Sequence, residues 1–259
     1  MALDFGVCRL TIVPVFERSD YHSRQCNQLL FGEAYEVTGK KGDWLSILTA
    51  FDGEGGWILA SQHHSISPEY FEQINTSDYK ITTDVSATLL YNKNPLSIVM
   101  GSILPISSSE LFKVEEQLAF NGETKSMSQK RDGEFLKSVL GKYINTPFVP
   151  GGKTPFGTDS SGFIQMAFKI AGYKLPRTID AISKAGAAVE NSESVNTGDI
   201  VLLKHYPSGE LMASVLIASD KVMMVDGFVQ QWKFDGKGIK IGTQKKYSWE
   251  MIEIRRTIS

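Results

Sequence analysis

The stretch GGKTPFGTDSSGFIQMAFKIAGYKLPR, Gly151 to Arg177, decides the fold of the C-terminal part of the chain. Its glycines predict a tight turn, and Thr158 or Asp159 follows as a candidate helix N-cap. Apolar residues then recur at helical spacing: Phe163, Ile164, Ala167, Phe168 and Ala171. Gly172 predicts the end of this helix. Ser160 is therefore expected among the first residues of a helix, a position from which proteins often present a nucleophile.

The sequence around this stretch predicts helices followed by strands. Upstream, Asp132 to Tyr143 carries an apolar stripe at helical spacing, and the polar segment from Asn121 to Arg131 is expected to be a linker. Downstream come the strand-like runs TGDIVLLK, LMASVLIAS, KVMMVDGFVQQWKF and YSWEMIEIRRTI. Helices followed by an antiparallel sheet indicate an α+β domain.

The first third of the chain predicts a different architecture. LTIVPVF, EAYEVTG, DWLSILTAF and GGWILA are short β-rich runs separated by Gly, Asp and Lys turns. This spacing is typical of a small closed β-barrel. Phe31 to Ile47 and Met100 to Val114 share a loose pattern of glycine, an apolar pair, a polar turn and an aromatic residue, which predicts a second barrel.

Composition excludes several classes of protein. The 259 residues are 42% hydrophobic and 22% charged, and their net charge of −2 gives no electrostatic reason to expect nucleic acid or an anionic membrane as partner. No window approaches the roughly 18 apolar residues of a membrane span, and no secretory leader is recognisable. The chain is therefore expected to be cytoplasmic unless a leader has been removed.

The cysteines and histidines predict neither a metal site nor a cofactor. Cys8 and Cys26 are the only cysteines, and we expect them to be reduced, small buried hydrophobes. The histidines never fall at a metal-binding helical spacing; they are His22, His63, His64 and His205.

The run INTPFVPGGKTPFGTDSSGFIQMAFKIAGYKLPR resembles the core motif of the NlpC-type cell-wall cysteine endopeptidases, and NTGDIVLL and ASVLIASDKVMMVDG resemble strands of the same family. At the front, NQLLFGEAYEV and GDWLSILTAFDGEGGWI resemble the first bacterial SH3-like domain of the branch that cleaves γ-D-glutamyl-diamino-acid bonds in murein peptides. The resemblance implies two SH3-like domains, residues 1–70 and 71–122, before a papain-like α+β domain at residues 123–259.

The resemblance breaks at the catalytic positions. The family uses a Cys-His pair with a third polar residue that orients the imidazole. By this alignment the nucleophile position holds Ser160, the base position holds Ser214 and the orienting position holds Met224. None of the three is expected to be functional. The one nearby histidine, His205, is predicted at a hairpin tip about three residues along the strand from the base position, and so to miss Ser160.

The substrate-binding positions are altered as well. Where the family carries a Tyr-Glu pair in its first SH3-like domain, this chain has Glu54 followed by glycine, and a family tyrosine is replaced by Phe148. The family residues Asp159, Ser161, Trp57 and Arg177 remain and are candidate ligand contacts. Two alternatives stay open: Asp159 and Ser161 can simply cap the helix, and Trp57, like Trp44, can simply fill a barrel core.

Three hypotheses follow from these residues. In the first, the chain is a catalytically inactive relative that binds a murein peptide, another small ligand or a partner in or near the degenerate cleft. In the second, it is an active cell-wall peptide hydrolase that uses Ser160 with an unrecognised base. In the third, it has a purely structural role.

Overall fold

The computed structural model describes residues 4–105, 118–190, 194–243 and 246–258. The chain forms two compact units, one made of residues 1–129 with 150–155 and the other of residues 130–149 with 156–259. The division into domains at residues 1–70, 71–122 and 123–259 stays a prediction, as does the SH3-like character of the first two.

The first unit begins with a seven-stranded sheet in the order β3-β2-β6-β5-β4-β1-β7. Its strands are β1 (Asp4–Val7), β2 (Ile12–Phe16), β3 (Gln25–Leu30), β4 (Ala34–Lys41), β5 (Trp44–Thr49), β6 (Gly55–Leu59) and β7 (Ser65–Ile66). A 3-10 turn (Ala60–Gln62) and helix α1 (Pro68–Thr76) complete this part. Alternate residues such as Val15, Leu45, Ile47 and Ile58 form one apolar cluster, so the strand-like runs in the sequence are confirmed here.

Two three-stranded sheets follow in the first unit, in the orders β10-β9-β12 and β11-β8-β13. Their strands are β8 (Lys80–Thr82), β9 (Ser86–Tyr91), β10 (Asn94–Val99), β11 (Ile103–Leu104), β12 (Leu118–Phe120) and β13 (Thr124–Ser126). The predicted repeat from Met100 to Val114 lies partly outside the described residues. The linker predicted at Asn121–Arg131 is wrong at its centre, because β13 pairs along β8. Such pairing joins main-chain groups and needs no apolar side chains, so the composition of the segment does not reveal it.

Asp78 stabilises this second part of the unit through hydrogen bonds. Its carboxylate accepts hydrogen bonds from the Ser126 hydroxyl and, at 2.9 Å, from the Ser128 N–H. These bonds, the Ser126 hydroxyl foremost, hold the pKa of Asp78 below its ordinary value. A depressed carboxylate pKa stabilises the fold above the unfolded-state pKa of about 3.9, and this contribution is lost as pH falls through the folded-state pKa.

Asp78→Asn is therefore expected to lower the free energy of unfolding at pH 7 by about 0.5–1 kcal/mol, a small loss because the side chain is exposed and solvent-screened. The difference from the native chain should shrink near pH 3. Urea midpoints at both pH values measure it. Asp220→Asn, at an exposed turn residue, is the control and should behave like the native chain at both; an Asp78→Asn deficit that persists undiminished at low pH would contradict this assignment.

The second unit packs helices on an antiparallel sheet, so the predicted α+β class is confirmed. The helices are α2 (Gly133–Gly141), α3 (Ser160–Ala171) and α4 (Ile179–Ile182). The sheet order is β16-β22-β17-β18-β19-β20, with β21 on β22. The strands of this unit are β15 (Gly157–Thr158), β16 (Ala187–Ala188), β17 (Ile200–His205), β18 (Leu211–Ala218), β19 (Lys221–Asp226), β20 (Phe228–Lys233), β21 (Gly238–Ile239) and β22 (Trp249–Arg256). The remaining strand, β14 (Lys153–Thr154), lies in the segment 150–155 of the first unit.

Neither Cys8 nor Cys26 forms a disulfide bond. Cys8 is buried in the apolar cluster of the first sheet and Cys26 packs against it. Burial raises the pKa of the Cys8 thiol to about 12, so this thiol stays protonated and unreactive. In the part of the chain that the structure describes, no helix is long and apolar enough to cross a membrane.

Candidate functional site

The candidate site is the N-terminus of α3. Asp159 has an extended backbone and its Oδ1 accepts a hydrogen bond from the Gly162 N–H at 2.7 Å, so Asp159 rather than Thr158 is the N-cap. Gly172 ends the helix in the left-handed conformation, at φ 90°. All twelve residues of α3 are buried, and Phe163 packs edge-on against Tyr143, whose pKa burial raises. The helix that presents residue 160 is thus a central core element of its unit.

Ser160 is the first residue of α3 and is 9% exposed. Within the described residues its hydroxyl makes no side-chain hydrogen bond to a base. The positive end of the helix dipole lowers the pKa of a thiol usefully, but a serine hydroxyl is far less acidic and needs a general base within about 2.6–3.2 Å. Whether Ser160 is activated as a nucleophile therefore depends on a base that the described hydrogen bonds do not supply.

Arg177 joins two of the predicted ligand contacts into one network. Its guanidinium forms a bidentate ion pair with Asp159, with Nη2 2.7 Å from Oδ2 and Nη1 2.9 Å from Oδ1. Nη1 also donates to the Ser161 hydroxyl, and that hydroxyl donates to Asp159 Oδ1 at 3.2 Å. Both carboxylate oxygens are therefore engaged within the protein. These contacts are those of a reinforced helix cap, and ligand binding by the three residues stays a prediction.

Ser214, which the resemblance predicts at the base position, lies in the middle of β18. It is fully buried and its hydroxyl donates to the carbonyl of Val201, the residue opposite it on β17, at 3.0 Å. A serine hydroxyl cannot take up a proton near neutral pH. Because Ser214 lies two residues from Leu216 on one strand, it shares the sheet face of the apolar cluster that contains Leu216 and Val201.

Met224, which the resemblance predicts at the orienting position, belongs to the same apolar cluster. Val215 pairs with Met223, and extending that register by one residue sets Ser214 opposite Met224. The position is fully buried, and the cluster around it includes Phe234 and Trp249. Met224 is therefore part of the packed core of the sheet, and its correspondence to the orienting position stays a prediction.

His205 does not lie at the predicted base position, residue 214. It stands at the end of β17, four residues beyond Val201, which is about 13 Å along the strand. The sequence predicted a displacement of three residues, so the register differs from that prediction by one. Its Nδ1 lies 2.8 Å from the Ser208 hydroxyl and its ring packs on Trp249, with centroids 4.6 Å apart.

Phe148 lies beside the entry to α3. Its backbone bridges to Thr158, and its N–H donates to the Gly227 carbonyl at 2.9 Å. The ring is 50% exposed, so it offers an apolar surface without the hydroxyl that the family's tyrosine carries.

Glu54 and Trp57 belong to the first unit and are described within it. The Glu54 N–H donates to Asp52 at 3.1 Å, in the turn between β5 and β6. Trp57 pairs with Ser46 on β5 and, like Trp44, alternates with the residues of the apolar cluster. Trp44 is buried against the Phe16 ring, outside that cluster, and Trp57 is half-buried. A role for Trp57 as a ligand contact stays a prediction.

A metal does not fit the described residues. Nowhere in residues 4–105, 118–190, 194–243 and 246–258 do three or more His, Cys, Asp or Glu side chains gather as a metal would require. The chemistry available at the α3 N-terminus is limited to hydrogen bonding and to the partial positive charge of the helix end.

Several known proteins are similar to this chain. Residues 145–248 match the model of the NlpC/P60 family. A γ-D-glutamyl-L-lysine dipeptidyl-peptidase of Bacillus subtilis is 26% identical over 69% of this chain and 64% of its own length. The protein of the same name from Bacillus cereus is 28% identical over 69% of this chain and 60% of its own length. The match thus spans less than two thirds of these relatives.

The fold has a solved counterpart. The crystal structure of an NlpC/P60 family protein from Bacillus cereus superposes with a TM-score of 0.78 at 17% identity, covering 97% of this chain and 99% of that one. At this level of identity the likeness concerns the fold.

Proposed function

Because the chain carries an NlpC/P60 domain over residues 145–248, we propose that it is a catalytically inactive relative of the murein-peptide hydrolases that binds a cell-wall peptide in or near the α3 N-terminus. One observation supports the proposal: no base is among the described side-chain hydrogen-bond partners of Ser160, and Ser214 and Met224, which the resemblance predicts at the base and orienting positions, are buried in the sheet.

The predicted loss of all three groups supports the proposal that the chain has no turnover. Removing one member of a nucleophile–base–orienter set leaves only residual catalysis, several powers of ten below the intact enzyme. Among the described residues, the contributions to catalysis that remain are the partial charge of the helix terminus and the binding of substrate. Neither supplies the base that a serine needs to attack a peptide carbonyl.

The ligand class is proposed from the relatives. Those from Bacillus subtilis and Bacillus cereus are named for the γ-D-glutamyl-L-lysine bond. The exposed ring of Phe148 beside the α3 entry offers a surface for such a peptide. We accordingly propose an L-Ala-γ-D-Glu-diamino-acid peptide as the ligand.

Turnover is tested by incubating the chain with L-Ala-γ-D-Glu-L-Lys and following released dipeptide by chromatography. The native chain, Ser160→Ala and Ser160→Cys should all release none above background. Ser160→Cys is informative because it restores the nucleophile alone, and Ser214 and Met224 still cannot activate or orient it. Release that Ser160→Ala abolishes would establish the active serine hydrolase instead.

Binding is tested separately by calorimetry with the same peptide. We expect saturable binding that Phe148→Ala weakens. Leu211→Ala removes a side chain equally exposed, at 50%, on β18 and should leave binding unchanged. The absence of binding to the native chain would overturn the ligand part of the proposal and favour a structural role.

A further inference from the structure

The segment Pro150–Pro155, here called the strap, belongs to the first unit although the residues before and after it belong to the second. The chain leaves and returns through a paired stem, in which the Val149 N–H donates to the Thr158 carbonyl at 2.9 Å and the Thr158 N–H donates to the Pro147 carbonyl at 3.1 Å. Thr158 immediately precedes the Asp159 cap. The strap is therefore a closed loop whose stem opens directly into the turn that presents residue 160.

The strap is fixed along β3 by polar contacts. The Gln25 side-chain amide donates to the Pro150 carbonyl at 2.8 Å, and the Lys153 N–H donates to the Gln28 side-chain oxygen at 3.1 Å. Gly151 has a φ of 70°, and a Cβ there would lie 2.7 Å from the Gln25 carbonyl oxygen. Only glycine allows this approach.

A buried ion pair holds the strap most strongly. Lys153 Nζ lies 2.8 Å and 3.1 Å from the two carboxylate oxygens of Glu33. The two side chains are only 4% and 5% exposed, and Glu33 also accepts from the Leu30 N–H at 2.9 Å. Lifting the strap would separate these two buried charges inside the first unit, which is strongly unfavourable.

We propose that Glu33 and Lys153 are positioning residues for the α3 N-terminus: by holding the strap they hold its stem, and through Thr158 and Asp159 the orientation of residue 160. Neither residue needs to touch a ligand for this role. The inference does not rest on the proposed function, because the turn has to be held whether the site binds, cleaves or does neither.

The test uses Ser160→Cys as a reporter and follows iodoacetamide alkylation of each cysteine by peptide mass spectrometry. Glu33→Gln/Lys153→Met is added to the reporter so that both charges are removed together. Alkylation at position 160 is expected to become about tenfold faster, because opening of the stem becomes more frequent once the strap is released. Cys26 lies in β3 next to the strap and should also react faster, whereas buried Cys8 should stay inert.

Asp199→Asn in the same reporter is the matched control. It breaks another two-pronged ion pair, in which Arg256 contacts the buried Asp199 at 2.7 and 2.8 Å and is itself 30% exposed, within the unit that contains residue 160. Its alkylation rate at position 160 should stay within about twofold of the reporter, since Asp199 lies outside the strap and its stem. An equal response to both changes, or no response at position 160 while Cys26 is released, would overturn the positioning role. Should the double variant fold poorly, Gly151→Ala loosens the strap with both charges in place and should give the same acceleration.

Discussion

Arg177→Met is expected to lower the free energy of opening of α3 by about 3–5 kcal/mol. The guanidinium is 4% exposed and satisfies both oxygens of Asp159 as well as the Ser161 hydroxyl. Methionine fills much of the volume but leaves a largely buried carboxylate without its counter-ion. Hydrogen exchange of the α3 amides measures the effect, because a chain of two units need not unfold in one step.

Two matched variants distinguish the loss of the Asp159 network from a general loss of charge. Arg177→Lys keeps the charge without the two-pronged geometry and should recover only part of the stability. Lys184→Met breaks the exposed pair with Asp180 in α4, where both side chains are more than 70% exposed, and should cost at most about 0.5 kcal/mol. Equal, small losses for Arg177→Met and Lys184→Met would show that the Asp159 network is not the structural cap described above.

Lys153→Met is expected to cost the first unit about 3–5 kcal/mol, because it strands the Glu33 carboxylate among buried neighbours. The exchange rates of the β3 and β4 amides report the loss. Replacing both members, as Glu33→Gln/Lys153→Met, should be less damaging than Lys153→Met alone because no unpaired charge remains. The contrary result, a double variant that is as unstable as the sum of the single variants, would mean that the two charges do not interact.

Local signals in the sequence were enough for the elements that carry the site. The glycine turn, the Asp159 cap, the helical spacing after it and Gly172 fixed α3 correctly, because each acts within a few residues. The helical spacing from Asp132 to Tyr143 likewise predicted α2, which the structure begins at Gly133, with Asp132 as a cap that accepts from the Phe135 N–H at 2.9 Å. Because such hydrogen bonds join residues that are close in the sequence, the residue types that form them can be recognised from the sequence alone.

The contacts that the sequence could not give are those between distant residues. Nothing in the residues near Lys153 indicates that its partner is Glu33, 120 positions earlier. Likewise, β13 is a strand because β8 lies beside it, not because of its own polar residues. The face on which Trp44 and Trp57 lie depends on sheet register, where a shift of one residue reverses every side chain.

The most direct measurement of the central claim is covalent labelling of Ser160 by a fluorophosphonate, followed by intact-mass spectrometry. Such probes react with serines that a neighbouring base activates. With Ser214 bonded to Val201 and Met224 in the core, the account predicts no adduct on the native chain under conditions that label an active serine hydrolase to completion. A stoichiometric adduct at Ser160 that Ser160→Ala abolishes would contradict it.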